Sequence, residues 1–179
     1  MNKEEKKLNS ELIYDGKVIK VSKDQVLCPN GESSIREVVH HRGGVGILIK
    51  VDDKFILEKQ YRYALQEEII EMPAGKLEEG EIPLEAANRE CLEETGYKPL
   101  EMVFLGTMYP TGGYSSEVIH LYYCPKYEKA ERHLNKDECI DLMYLSLEEV
   151  EKLIKDNVIK DAKTIVAFSL YKNKILESN

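Results

Sequence analysis

GKLEEGEIPLEAANRECLEETGY, residues 75–97, gathers acidic side chains on one predicted helix. Pro83 suits a first helical turn, where its missing N–H leaves no hydrogen bond unmade. Gly96 is a typical stop signal for a helix. We therefore expect a helix from Pro83 to Glu94.

Three carboxylates share one face of this helix, because Glu90, Glu93 and Glu94 stand at positions i, i+3 and i+4. Like charges at these spacings destabilise a helix by about 0.2–0.5 kcal/mol per pair. A divalent cation would reverse that cost, and hard oxygen ligands suit Mg²⁺ or Mn²⁺. The spacing therefore indicates a site for a divalent cation, either Mg²⁺ or Mn²⁺.

The opposite side of the helix carries the apolar residues, which follow helical periodicity: Leu84, Ala87, Cys91 and Leu92. This pattern is typical of a helix that packs against a core. We expect the glutamates to point outward together. A solvent-facing acidic helix is the competing interpretation.

The spacing of the segment resembles the Nudix box: Gly75, five residues, Glu81, seven residues, Arg89-Glu90-Cys91, one residue, Glu93-Glu94, one residue, Gly96-Tyr97. Cys91 and Tyr97 stand where that family usually has aliphatic residues. The resemblance implies an α/β (α+β) fold, an α/β/α sandwich with a mixed sheet and a small N-terminal antiparallel β-subdomain. It also implies two parts, a β-subdomain over 1–40 for dimerisation and substrate contacts and a Nudix hydrolase domain over 41–179.

Matches outside the box resemble the ADP-ribose pyrophosphatase branch of the family: Gln60-Tyr61-Arg62, Glu71-Met72-Pro73-Ala74-Gly75 and Tyr109-Pro110-Thr111-Gly112-Gly113. Gly112 replaces a further proline of that branch. The resemblance implies Mg²⁺-dependent hydrolysis of ADP-ribose to AMP and ribose 5-phosphate by a homodimer. Hydrolysis of another nucleoside diphosphate sugar and a non-catalytic module that senses ADP-ribose are the alternatives.

The resemblance assigns the metal ligands to the backbone carbonyl of Ala74 and to Glu90, Glu93 and Glu94. Glu93 and Glu94 are expected to be catalytic through the cation that they hold. A bound cation neutralises diphosphate oxygens and lowers the pKa of a water nucleophile. Arg89 is expected to be structural, pairing with Glu81 to orient the acidic cluster.

A general base must take a proton from that water, and Glu138 is the predicted residue. It lies in RHLNKDEC, residues 132–139, which matches the acidic loop that donates the base in the family. Asp137 and Glu117 are alternatives. A solvated loop carboxylate is the competing interpretation for each.

Substrate binding is expected from Arg36, Glu37 and Arg62. Arginine suits bidentate recognition of phosphate, and Glu37 can accept hydrogen bonds from adenine or ribose. Tyr14, Tyr61 and Tyr114 could stack on adenine. For each arginine, an ordinary surface ion pair is the competing interpretation.

Composition narrows the class of partner. With 179 residues and 42% hydrophobic residues the chain can build a sizeable core. A net charge of −8 argues against nucleic acid as a partner, because a duplex binder needs a basic surface. We expect no membrane partner and a cytoplasmic location, since no signal peptide or membrane span is evident. The four cysteines lack zinc-type spacing and are predicted to be reduced core thiols.

Outside the box, local patterns predict further elements. Three strands are expected within 12–40, with a hairpin turn at 29–32. Strand-like runs follow the acidic helix, and Ser146 and Glu149 form a capping box for a helix over 147–155. A last helix is expected over about 161–174.

Overall fold

The computed structural model describes residues 2–136 and 138–177. Asp137, an alternative for the general base, lies outside the described residues. The chain forms two compact units. One runs to Gly43 and includes Tyr109–Val118, and the other comprises Gly44–Met108 and the chain from Ile119 onward. We call them the N-terminal unit and, after the activity that the Nudix resemblance implies for it, the catalytic unit.

The N-terminal unit is built on an antiparallel sheet of three strands, β1 (Lys6–Asp15), β2 (Lys20–Leu27) and β3 (Ser33–His40). The predicted hairpin between β2 and β3 is confirmed, and Gly31 takes a positive φ of 87° there. The predicted start of the first strand was wrong. β1 begins at Lys6, in a polar stretch without the apolar alternation that marks a half-buried strand.

The catalytic unit holds a mixed sheet of seven strands. The strands are β4 (Gly44–Val51), β5 (Lys54–Arg62), β6 (Glu67–Glu71), β7 (Ala74–Lys76), β8 (Tyr97–Met108), β9 (Ile119–Lys129) and β10 (Ile140–Leu145). Five of them run in the order β10-β5-β4-β9-β8, while β6 pairs with β5 and β7 with β4. The β4–β9 pair is parallel, which makes the sheet mixed.

Three α-helices accompany this sheet, α1 (Pro83–Thr95), α2 (Leu147–Lys155) and α3 (Ala162–Tyr171). The predicted capping box of α2 is confirmed. The last helix is shorter than predicted, because the chain continues as a π-helical segment over Lys172–Leu176. Within the described residues, no helix has the length and apolar character needed to cross a membrane.

Side-chain alternation along β5 sends its residues to two different apolar clusters. Ile56 packs in a cluster with Ala87 and Cys91 of α1, whereas Phe55 and Leu57 pack in a cluster with residues of α2 and α3. Helices thus cover both faces of the sheet, and the predicted fold class is confirmed.

Helix α1 starts at Pro83 as predicted, and Gly96 ends it with a left-handed φ of 75°. The predicted burial of Ala87 and Cys91 on one face is confirmed, but the predicted exposure of the glutamates and burial of Leu84 were wrong. Glu90 and Glu94 are only 7% and 5% exposed, whereas Leu84 is 44% exposed. Strand β7 packs over the acidic side of the helix. The periodicity of the helix sequence does not show that another element covers this side.

The cysteines are all free thiols, but only Cys91 and Cys124 belong to the core. Cys139 is exposed and Cys28 is partly exposed. The prediction that all four are core thiols was therefore wrong for these two, which lie outside the packed faces of the strands.

Candidate active site

The short strand β7 passes directly over the acidic side of α1. The Ala74 N–H donates to Glu94 Oε2 at 2.8 Å. A Cβ atom added to Gly75 would lie 1.9 Å from the carboxyl carbon of Glu90. Glycine at position 75 is therefore what leaves room for the Glu90 carboxylate beneath the strand.

Arg89 donates hydrogen bonds to three carboxylates. It donates to both oxygens of Glu81 at 2.9 Å, which confirms the predicted pairing. The same guanidinium donates to Glu90 at 2.8 Å and to Glu93 at 3.2 Å. Arg89 thus orients the acidic cluster and offsets part of its charge.

Burial, together with the remaining negative charge, raises the pKa values of carboxyl groups in the cluster. Burial raises the pKa of Glu94 well above its usual range, and the nearby Glu58 and Glu90 carboxylates raise it further. Burial also raises the pKa of Glu90, although its contact with Arg89 opposes that shift. In the absence of a cation, the proton-bound form of Glu94 is favoured at neutral pH.

Hard oxygen donors with an excess of buried negative charge fit a divalent cation. Among the described residues, no three His, Cys, Asp or Glu side chains are already grouped as a metal site. Arg89 and the Ala74 N–H donate hydrogen bonds to carboxylate oxygens of Glu90, Glu93 and Glu94. The cluster has the chemistry of a cation site with its donors held by internal hydrogen bonds.

Two more buried glutamates lie on the adjoining strands β5 and β6. Glu71 accepts from Arg62 Nε at 2.6 Å and from Lys163. Glu58 is 1% exposed, and its Oε1 has no hydrogen-bond partner among the described residues. Glu58 was not among the predicted site residues. The signal in the sequence was a charged residue that directly follows the apolar run Phe55-Ile56-Leu57 of a predicted strand.

The loop that carries Glu138 is tied to the end of α1. The His133 N–H donates to the Glu93 carbonyl at 3.0 Å, and the Ala130 N–H donates to the Gly96 carbonyl at 2.8 Å. Glu138 accepts two hydrogen bonds from Asn135, at 2.9 and 3.0 Å. Its charge adds slightly to the raised pKa values of Glu90 and Glu94. Glu138 therefore lies within electrostatic reach of the box glutamates.

Glu117, the other alternative base, lies in the N-terminal unit. Its carboxylate is 3.5 Å from His41 Nδ1 in the same unit. The assignment of the base to Glu138 stays a prediction.

The predicted substrate residues fall in both units. Arg36 and Glu37 line a 730 Å³ cavity of the N-terminal unit together with Tyr114. Arg36 also donates to Glu5 at 3.0 Å. Arg62 belongs to the catalytic unit, where it holds Glu71 and keeps 39% of its side chain exposed.

Comparison with known proteins identifies the family. A model of the NUDIX domain matches residues 40–168, which include the box and the strands around it. The chain belongs to the NUDIX family.

Two relatives of this NUDIX protein match it over most of its length. The methanol dehydrogenase activator of Bacillus methanolicus is 42% identical, and the ADP-ribose pyrophosphatase of Bacillus subtilis (strain 168) is 40% identical. Each match covers 92% of this chain and 90% of the relative. The crystal structure of an ADP compounds hydrolase has a TM-score of 0.86 at 22% identity, over 98% of this chain and 96% of the other. That structure shares the fold.

Substitution of Gly75 tests the packing of β7 on Glu90. In Gly75→Ala the new methyl group displaces the Glu90 carboxylate, so we expect Mn²⁺ affinity to fall by about 10–100-fold, as when other groups that orient ligands are lost. Isothermal titration with Mn²⁺ measures this. Gly112→Ala is the matched control, because a Cβ there meets nothing within 4 Å. Unchanged affinity in Gly75→Ala would contradict the proposed placement of Glu90.

The raised pKa of Glu94 makes stability depend on pH in a defined direction. Between the ordinary glutamate value of about 4.3 and the raised value, the folded state binds more protons than the unfolded state. The free energy of unfolding of metal-free protein should therefore fall as pH rises through this window. Urea unfolding with chelator at several pH values measures the slope. We expect the free energy of unfolding of Glu94→Gln to depend less steeply on pH. A slope equal to that of the wild type would contradict the raised pKa of Glu94.

Proposed function

We propose that this protein hydrolyses the diphosphate bond of ADP-ribose, with Mg²⁺ as cofactor, and releases AMP and ribose 5-phosphate. The observation that carries the proposal is the packing of Glu90 and Glu94 of α1 against the Ala74–Gly75 strand. The substrate is supported by the relative from Bacillus subtilis, which is named ADP-ribose pyrophosphatase and matches nearly the whole chain.

The cation would be held by Glu90, Glu93, Glu94 and the backbone carbonyl of Ala74. When bound, Mg²⁺ neutralises diphosphate oxygens and lowers the pKa of an attacking water. Mn²⁺ has the same preference for oxygen ligands. Arg89 positions the glutamates, since it contacts two of them and Glu81 at once.

Glu138 is the proposed general base. It belongs to a loop anchored on α1, and its carboxylate can accept a proton from water at the cluster. The hydrogen bonds from Asn135 fix the position of this carboxylate in the loop.

The proposed nucleotide contacts include Arg36 and Glu37. They share their cavity with Tyr114, whose ring could stack on adenine while Glu37 accepts from its amino group. Arg62 is proposed to contact phosphate with the part of its guanidinium that Glu71 does not use.

Two variants and one assay test this function. Wild-type protein with ADP-ribose and Mg²⁺ should give AMP and ribose 5-phosphate, and chelator should abolish the reaction. We expect Glu94→Gln to lose most turnover and cation affinity. Glu138→Gln should lower kcat by about 10²–10⁴-fold, the usual contribution of a general base, with cation affinity unchanged. Retained kcat in Glu138→Gln would move the base to Asp137 or Glu117.

The same assay separates the alternatives. Cleavage of another nucleoside diphosphate sugar in preference to ADP-ribose would reassign the substrate, and the GDP-mannose pyrophosphatase of Cronobacter sakazakii is 31% identical over 145 residues. Binding of ADP-ribose without cleavage of any sugar nucleotide would favour a regulatory role. The relative named methanol dehydrogenase activator makes a dehydrogenase the first partner to test in that case.

We also propose a homodimer formed through the N-terminal unit. Strand β1 is the edge of its sheet and is exposed at every position. Its side chains Leu8, Leu12, Ile13 and Tyr14 are each at least half exposed. An apolar edge of this length is a template for pairing with a second chain. The predicted division at residues 40 and 41 and the cytoplasmic location remain proposals.

Mass measurement tests the dimer. Light scattering after gel filtration should give about twice the 20.6 kDa of one chain. A charge in the edge strand should prevent pairing, so Leu12→Asp should elute as a monomer. Leu100→Asp is the control, since Leu100 is 61% exposed but lies on β8 of the catalytic unit. A monomeric wild type, or a dimeric Leu12→Asp, would contradict the proposed interface.

A further inference from the structure

Glu58 occupies the middle of the sheet in the catalytic unit. Its strand β5 is hydrogen-bonded on both sides at this point, where Glu58 pairs with Leu142 of β10 and with Glu71 of β6. With 1% of its surface exposed, the side chain is removed from bulk solvent. A carboxyl group in such a place needs a compensating partner.

The direction of the Glu58 side chain follows from the pleat of β5. Phe55 and Leu57 pack in the cluster with α2 and α3, whereas Ile56 packs with α1. Successive residues of a strand point to opposite faces, so Glu58 lies on the same face as Ile56. Glu58 therefore points to the face that α1 covers. Its charge also contributes to the raised pKa of Glu94 on that helix.

No side chain among the described residues satisfies Glu58 Oε1, which is fully buried without a hydrogen-bond partner. The positively charged side chains near Glu58 donate their hydrogen bonds to other groups. Arg62 and Lys163 both donate to Glu71. Arg132 donates to the backbone carbonyls of Glu94 and Ile140.

The neighbouring Glu71 provides an internal comparison. It is also 1% exposed, but it is held by an arginine and a lysine. A buried glutamate that serves only the fold would be expected to have such partners. Glu58 is left with an oxygen that accepts no hydrogen bond from the part of the chain that the structure describes, and it lies close to other carboxyl groups. Such an oxygen is suited to a cation.

We propose that Glu58 is a further carboxylate of the divalent-cation centre and contributes its Oε1 to cation binding alongside Glu94. This inference rests on the cation site of the proposed function, but not on the identity of the substrate. It assigns to β5 a ligand that lies outside the Nudix box.

Mn²⁺ binding without substrate tests the role of Glu58. Titration of the full-length protein, with free Mn²⁺ followed by electron paramagnetic resonance, gives affinity without any turnover. Glu58→Gln keeps the shape of the side chain and removes its charge. We expect its Kd for Mn²⁺ to rise by about 10-fold or more.

Glu68→Gln is the matched control, because it makes the same change on β6 at an exposed carboxylate that pairs with Lys59. Its Kd should equal that of the wild type.

A second variant distinguishes the loss of a cation ligand from a folding defect. Glu58→Leu places an apolar side chain in a strand that already buries Ile56 and Leu57, and it removes the same charge. In thermal unfolding with chelator, this variant should be at least as stable as wild type, because it replaces a buried carboxyl group whose Oε1 has no hydrogen-bond partner among the described residues. The rise in Tm on adding Mn²⁺ should be smaller than in wild type.

The outcomes separate this inference from the proposed function. Wild-type Mn²⁺ affinity in both Glu58 variants, with binding lost in Glu94→Gln, would overturn the role of Glu58 alone. A wild-type protein that binds no Mn²⁺ would overturn the whole cation site. The Glu58 variants could also bind Mn²⁺ more weakly while the wild-type protein leaves ADP-ribose intact. That result would support the role of Glu58 in cation binding and contradict ADP-ribose as the substrate.

Discussion

The burial of several carboxylates beside one another is the constraint on which the catalytic unit depends. Glu58, Glu90 and Glu94 are each less than a tenth exposed. Burial of like charges is unfavourable unless protons, hydrogen-bond donors or a cation compensate. Arg89 supplies part of this compensation. We propose that a divalent cation supplies the rest.

The surrounding elements hold these carboxylates in place. Pairing of β7 with β4 brings Gly75 over α1, and its missing side chain leaves the space that Glu90 fills. The apolar side of α1 packs on the sheet through Ala87 and Cys91, which fixes the rotation of the helix. Core packing, rather than helix propensity, thus opposes the repulsion among its glutamates.

Local signals in the sequence were enough to predict α1, its glycine stop, the Arg89–Glu81 pair and the capping box of α2. Each depends on residues close together in the chain. The burial of Glu90 and Glu94 was not predictable in this way, because strand β7 covers them and helical periodicity does not report what packs on a face. Glu58 escaped notice for a related reason. Its neighbours come from β6, β10 and α1, and only the register of the sheet brings them together.

The central claim is that a divalent cation binds among these carboxylates. Anomalous diffraction from crystals of the protein grown with Mn²⁺ tests it most directly, since the signal locates the metal without assuming its ligands. We predict a peak within coordination distance of carboxylate oxygens of Glu90 and Glu94. A peak bound elsewhere, or no peak at saturating Mn²⁺, would contradict the account.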